Sequence, residues 1–162
     1  MITLQPITWE NGNTIANRLQ VHESQSNFVA SNLKSLAHAY VYWANSGIQP
    51  LVFGIYSDDV PVGFAMMHYE SAEACEYKSN EGKPCYGIWR FMIDKDHQGK
   101  GYGKTAMAEI LKLLRTKPLG EAQTVYLSYH PENVGARNLY ASVGFAETGE
   151  TDGIEIVARL LL

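Results

Sequence analysis

A strand–loop–helix passage near the middle of the chain limits its fold more than any other feature. "CYGIWRFMID" (85–94) is an apolar, aromatic-rich run that reads as a strand, and "KDHQGKGYGK" (95–104) is a glycine-rich turn. Met107, Ile110, Leu111 and Leu114 then recur at helical spacing until "KPLG" stops them. A strand passing straight into a helix calls for sheet and helix layers around one core. It also leaves the first amides of the helix free at the positive end of its dipole, where small residues let an anion approach closely. The same residues serve equally well as a plain turn with no ligand. Gly103-Lys104-Thr105 copies the end of a nucleoside-triphosphate loop, G-x-x-x-x-G-K-[ST], but the first glycine of that pattern falls on Gln98. No later apolar strand ends in an aspartate for magnesium, which argues further against that reading. Taken from the left, Gln98-x-x-Gly101-x-Gly103 suits a pyrophosphate held by main-chain amides, with Lys100 and Lys104 at the rim.

The flanking chain is consistent with one mixed-sheet α/β or α+β domain spanning residues 1–162. "ITLQPI" (2–7) opens as a strand, and "NRLQVHESQSNFVASN" suggests a helix running into a loop. Leu33, Leu36, Ala37, Tyr40 and Val41 form an apolar helical stripe that Ser31 or Asn32 can cap. "PLVFGIYSDDVPVGFAMMHYE" predicts a hairpin turning at Asp58-Asp59, with Pro61 near the start of its second strand. Residues 71–83 are polar and read as a loop, "QTVYLSYH" as a strand, "NVGARNLYASVGF" as a short helix ended by Gly144, and "GIEIVARLLL" as the closing strand.

At 162 residues, with 46% apolar and 19% charged side chains, the chain has the composition of an ordinary globular protein. A net charge of -4 argues against a nucleic-acid binder, which carries a basic surplus. The start "MITLQPITWE" shows no secretory pattern and no apolar run approaches membrane-spanning length, so a cytoplasmic location is expected. Cys75 and Cys85 are expected to be free thiols. His22, His68, His97 and His130 lack metal-ligand spacing, and no metal is expected.

Two motifs together are more specific than either alone. "HQGKGYGK" resembles the Q/R-x-x-G-x-G/A loop of the GCN5-related N-acetyltransferase (GNAT) superfamily, and "NVGARNLYASVGF" resembles its second signature, in the same order and context. "FMIDKDHQGKGYGK", "YLSYHPEN" and "NLYASVGF" further resemble the bacterial polyamine (spermine/spermidine-type) N-acetyltransferases. The resemblance spans essentially the whole chain. It implies a mixed, mostly antiparallel twisted sheet with a splayed central strand pair and about four flanking helices.

The resemblance also implies direct acetyl transfer from acetyl-CoA to a primary amine, and a homodimer. Phe91, Met92 and Ile93 then offer main-chain groups to the thioester and pantetheine arm. Gln98, Gly99, Lys100, Gly101, Tyr102, Gly103 and Lys104 cradle the pyrophosphate. Asn133 contacts pantetheine amides and Tyr140 is the general acid that protonates the leaving thiolate. A phenol suits that role because it is neutral at pH 7 and can donate as charge develops on sulfur. The central strand reads "GIWRFM", so Trp89 and Arg90 stand where some relatives carry a carboxylate base, leaving waters leading to Glu70 or Glu23, or an already neutral amine. Glu23, Phe28, Tyr69 and Glu70 are the candidate acceptor contacts, with Glu73, Glu76 and Tyr77 nearby, since carboxylates and aromatic faces suit a polycation. Other acceptors (an aminoglycoside, an amino acid, a protein N-terminus) and a non-catalytic acetyl-CoA sensor are the alternatives.

Overall fold

The computed structural model describes residues 1–162. In chain order the elements are β1 (Ile2–Pro6), α1 (Trp9–Asn17), α2 (Asn32–Ser46), β2 (Leu51–Ser57), β3 (Val60–Glu70), β4 (Cys85–Ile93), α3 (Tyr102–Leu114), β5 (Thr124–Tyr129), α4 (Val134–Ser142), β6 (Ala146–Asp152) and β7 (Glu155–Leu161). The strands form one sheet ordered β1-β2-β3-β4-β5-β7-β6, antiparallel throughout except where β4 and β5 run parallel. The expected α/β fold with a mostly antiparallel sheet and four helices is what the chain adopts.

Strand alternation divides the core into two layers. Ala65 and Met67 of β3 join Tyr86, Val125, Leu127 and Ala158 under α3 and α4. Phe64 and Met66, one residue out of phase, point to the other face and pack with Met92 against Ile15, Leu19 and Ala39 of the α1–α2 layer. The stripe expected on α3 is buried as read, with Met107, Ile110 and Leu114 fully inaccessible.

The stripe expected on α2 is not. Leu33, Tyr40 and Val41 are 58%, 66% and 54% exposed, and of that stripe Leu36 alone packs against the core. The helix instead buries Asn32, Ser35 and Ala39, small or polar side chains that let it approach α1. Asn32 Nδ2 donates to the Ile15 and Leu19 carbonyls at the end of α1, at 2.9 and 3.4 Å. Ser31 caps α2 as expected, accepting from the Lys34 amide. The helix expected in residues 17–32 begins earlier. Thr8 and Asn11 form a capping box that starts α1 at Trp9. β6 has no counterpart in the sequence reading, because "AETGETD" is polar and mostly exposed.

Two irregularities in the centre of the sheet create the site. β4 and β5 pair only at Tyr86↔Val125 and Gly87↔Tyr126, then part. Opposite β3, the register jumps between Met66↔Arg90 and Met67↔Ile88, leaving Trp89 as an extra, bulged residue. Ile88 to Ile93 therefore have no strand on their β5 side, as the splayed pair implied by the resemblance requires.

Candidate active site

The gap between β4 and β5 opens a cleft of about 320 Å³ on the α3–α4 side, lined by Phe91, Met92, Ile93, Gln98, Asn133 and Tyr140 among others. Main-chain groups alternate in direction along a strand; Asp94 and, two residues back, Met92 turn theirs to β3, which leaves those of Phe91 and Ile93 on the gap side. The adjoining loop is built to leave amides free. None of the main-chain N–H groups from Gln98 through Lys104 has a main-chain acceptor, the first being Thr105, which donates to Gly101. Gly101 is the N-cap of α3 and supplies no side-chain cap. Gly99 and Gly101 adopt φ of +75° and +78°, and a Cβ at either would meet nothing within 4 Å. The backbone is thus turned outward around open space, which is the form an anion cradle takes.

The polar side chains of the loop hold its shape. Gln98 Nε2 donates to Gln25 Oε1 and to the Ile93 carbonyl, both at 2.9 Å. Lys100 Nζ donates to the Asp96 carbonyl at 2.9 Å. Buried Asp94 accepts from the Gln20 amide at 2.8 Å and contacts His97 Nδ1 at 3.1 Å. Burial works against the Asp94 charge, but these partners outweigh it and hold the carboxyl below its usual range. Gly103 and Gln98 line the cleft, Tyr102 is half-buried against the core, and Lys104 is exposed.

Asn133 caps α4, its Oδ1 accepting from Ala136 N at 3.1 Å, and it also lines the cleft. Its main-chain N–H donates to the His130 carbonyl and its carbonyl accepts from Arg137, which leaves Nδ2 for a ligand. Tyr140 is 9% exposed, with ring centroids 5.6 Å from Tyr129 and 6.0 Å from Phe145. Burial first, then the negative charge of Glu155, then Tyr129, push its phenol up, so it stays protonated. Tyr129 is pushed up to about 12 by burial and by its hydrogen bond to Glu147.

On the opposite, α1–α2 side of the sheet lies a second cavity of about 760 Å³. Phe28, Ile88, Trp89, Arg90 and Ser128 line both spaces, so the two meet at the splay. Of the expected acceptor residues, Glu70 and Phe28 line this cavity. Tyr69 does not. Strand alternation sends it through the sheet, where it packs on Tyr86 at 5.5 Å and donates to the Glu121 carbonyl. Glu23 lines a separate cleft beside Leu19 and Lys95.

The cavity contains groups that spacing along the sequence did not indicate: Tyr42, Ser128, Asp152 and Glu155. The one available signal was Glu155, a carboxylate opening a mostly apolar strand. His68 bonds Glu70 at 3.1 Å and lies 5.3 Å from the Trp89 ring, directly over Gly87, where a Cβ would stand 2.1 Å from its Cε1. Arg90 donates to the Trp89 carbonyl at 2.7 Å and faces His38 at 3.5 Å, while its Nε is buried without a partner. Cys75 and Cys85 are free thiols, and with Glu70 they place donor atoms within 4.8 Å of one another. Histidine spacing gave no hint of that cluster.

A sheet opened between β4 and β5, with unpartnered amides on one side and a carboxylate-lined cavity on the other, is the arrangement of an acyl-transfer enzyme of the GNAT class. The chain belongs to the acetyltransferase (GNAT) family, whose model matches residues 18–145. It is an N-acetyltransferase. Relatives include a probable spermine N(1)-acetyltransferase of Bacillus subtilis subsp. natto (strain BEST195), 30% identical over 93% of this chain and 91% of the relative. The spermine/spermidine N(1)-acetyltransferase of Bacillus subtilis (strain 168) is 29% identical over the same shares. Among solved structures, the aminoglycoside acetyltransferase AAC(6')-Ib in complex with coenzyme A superposes with a TM-score of 0.72 at 17% identity, covering 99% of this chain and 95% of that one. The PaiA N-acetyltransferase of Thermoplasma acidophilum, in complex with coenzyme A, gives 0.64 at 16% identity, covering 100% and 99%. No helix is long and apolar enough to cross a membrane.

Proposed function

We propose that this protein, acting as one domain over residues 1–162, acetylates a primary amine of a small polyamine with acetyl-CoA as donor. The observation that carries the acceptor class is the spread of carboxylates along the cavity. Glu70 and Asp152 flank Tyr77 at one end, where burial and then these two charges push its phenol up. Glu155, opposite Asp152 in the β6–β7 pair, extends that acidic lining toward Tyr140. A chain with ammonium groups at intervals meets an anion at the far end while its terminal nitrogen reaches the splay. Tyr42 and Tyr77 add aromatic faces to that far end. Relatives named for spermine and spermidine support the same class.

Acetyl-CoA fits the donor side because the free amides of residues 98–104 surround open space and Gly99 and Gly101 leave no Cβ in it. When bound, it supplies an activated acetyl group as a thioester. Main-chain groups of Phe91 and Ile93 would align the pantetheine arm along the unpaired edge of β4, and an amide there would stabilise negative charge on the thioester oxygen. Asn133 would orient the arm, and Tyr140 would deliver the proton that sulfur needs on leaving. A homodimer is part of the same proposal, and light scattering of the purified protein tests it.

Arg90 favours a second reading. A half-buried guanidinium without an ion pair, in a cavity that Lys34 also lines, suits an acceptor that carries an anionic group next to its amine, such as an amino acid or a protein N-terminus. A thiol-release assay separates the two. Spermidine, spermine and putrescine should each liberate coenzyme A thiol faster than amino acids, aminoglycosides or peptides at equal concentration. No release with any polyamine, alongside clear release with a zwitterionic amine, would sink the polyamine assignment.

A further inference from the structure

Catalysis needs a group to take a proton from the arriving ammonium, because a primary alkylamine titrates near 10 and is almost fully charged at pH 7. β4 offers no carboxylate for this. We propose that Glu155 is the general base of the transfer and that Ser128 is its positioning residue, whatever primary amine the cavity admits.

The placement follows from strand register. β5 and β7 are antiparallel, with Ser128 opposite Val157 and Tyr129 opposite Ile156. Ile156 and Ala158 pack in the α3–α4 layer, so Glu155 and Val157 face the other way, toward Tyr126 and Ser128. Ser128 donates its hydroxyl hydrogen to Glu155 Oε2. Ser128 lines both the acceptor cavity and the donor cleft, and the carboxylate it holds lines the acceptor cavity. From the opposite face of the sheet, Tyr140 reaches the same gap. Burial raises its phenol first, and the Glu155 charge adds to that.

The other carboxylates are committed, exposed or remote. Glu70 bonds His68 through one oxygen and accepts from Cys85 through the other, and its charge acts on Tyr42 and Tyr77 at the far end of the cavity. Asp152, opposite Glu155 in the β6–β7 pair, is solvent-exposed, and Glu23 lines another cleft. Facing Glu155 are Arg90 from β4, Tyr140 from α4 and Asp152, its register partner on β6. The Arg90 charge, close enough for Glu155 to offset part of what burial does to it, also disfavours a second cation nearby. It therefore helps the ammonium give up its proton.

The proton balance closes without any further reagent. One proton of the ammonium passes to a Glu155 oxygen and from there to solvent through the open cavity. The freed nitrogen lone pair bonds to the thioester carbonyl carbon, the carbon–sulfur bond breaks with its electron pair on sulfur, and sulfur takes the Tyr140 phenolic proton. The nitrogen sheds its second proton on becoming an amide, and that proton restores the Tyr140 hydroxyl.

Glu155→Gln keeps an oxygen for Ser128 to donate to while removing the base. With the most active amine of the panel, it should lose about 100-fold or more in kcat at pH 7. The deficit should shrink as pH rises toward 10, because the amine then arrives already deprotonated, by about tenfold for each pH unit below its own pKa. Ser128→Ala should show a smaller, several-fold loss with the same recovery, and both variants should bind coenzyme A like wild type in calorimetry. A deficit that stays constant from pH 7 to 10 overturns the assignment. So does a raised KM with kcat unchanged, which would make Glu155 a binding group only. Should Glu155→Gln fail to bind coenzyme A, Ser128→Ala decides alone by the same two criteria. Wild type inert toward polyamines but active on another amine would defeat the polyamine reading and leave the Glu155 test intact.

Discussion

The two spaces that meet at the splay are built by opposite means. On the donor side the free groups are main-chain amides, and the nearby side chains are bonded mostly to main-chain atoms: Gln98 to Ile93 and also to the Gln25 side chain, Lys100 to Asp96, Asn133 to Ala136. On the acceptor side, side chains from β3, β4, β5, β6 and β7, with Phe28 and Tyr42 from the α1–α2 layer, make up the polar and aromatic lining. The difference matches what each half must do. A cradle for one invariant pyrophosphate can be made of backbone, whereas a cavity that selects among amines needs side chains whose charge and spacing can vary.

That contrast predicts an order of effects. Tyr140 is the one donor-side side chain expected to take part in bond making, so Tyr140→Phe should cut kcat by about 100-fold or more while leaving coenzyme A affinity unchanged. Lost coenzyme binding would mean that the ring is structural. Gly101→Val should weaken coenzyme A binding by about tenfold, since a β-branched residue held at positive φ is strained by about 1–2 kcal/mol and the loop relaxes away from its cradle. Calorimetry reads it, and wild-type affinity would refute a backbone-built site. Glu70→Gln should raise KM for spermidine by about tenfold with kcat nearly constant, through loss of one charge-assisted contact at the far end of the cavity. A fall in kcat instead would move Glu70 into the chemistry. Lys104→Ala should change coenzyme affinity by about twofold, as expected of an exposed charge. A loss beyond about tenfold would show that the donor side depends on side chains after all.

How far the sequence could be read follows the same division. Gln98, Gly101, Gly103, Asn133 and Tyr140 fall in two short motifs whose local geometry nearly guarantees their placement, a turn into a helix start and a capped helix two turns long. Glu23 and Tyr69 lie in segments that flank an acceptor pocket, but a segment does not fix where its side chains point. One-residue alternation sends Tyr69 through the sheet, and Glu23 sits on the 3-10 turn after α1, beside a different cleft. The apolar stripes of α2 and α3 make the same point. Both repeat at helical spacing, yet the α3 stripe is buried and most of the α2 stripe faces solvent. Periodicity identifies a helix and one of its faces; what that face packs against depends on the partner that arrives.

The sequence by itself determined most of the strands, the α2, α3 and α4 helices, the glycine loop, the capped second motif and the absence of a carboxylate on the central strand. Each of these depends on residues within about a dozen positions of one another, so local sterics and hydrogen bonding suffice. Only the tertiary structure decided that β4 parts from β5 after Gly87, that Trp89 bulges, that His68 lies over Gly87, and that Glu155 meets Ser128 opposite Tyr140. Those contacts join strands distant in sequence, and their register is set by how the whole sheet packs against its two helical layers.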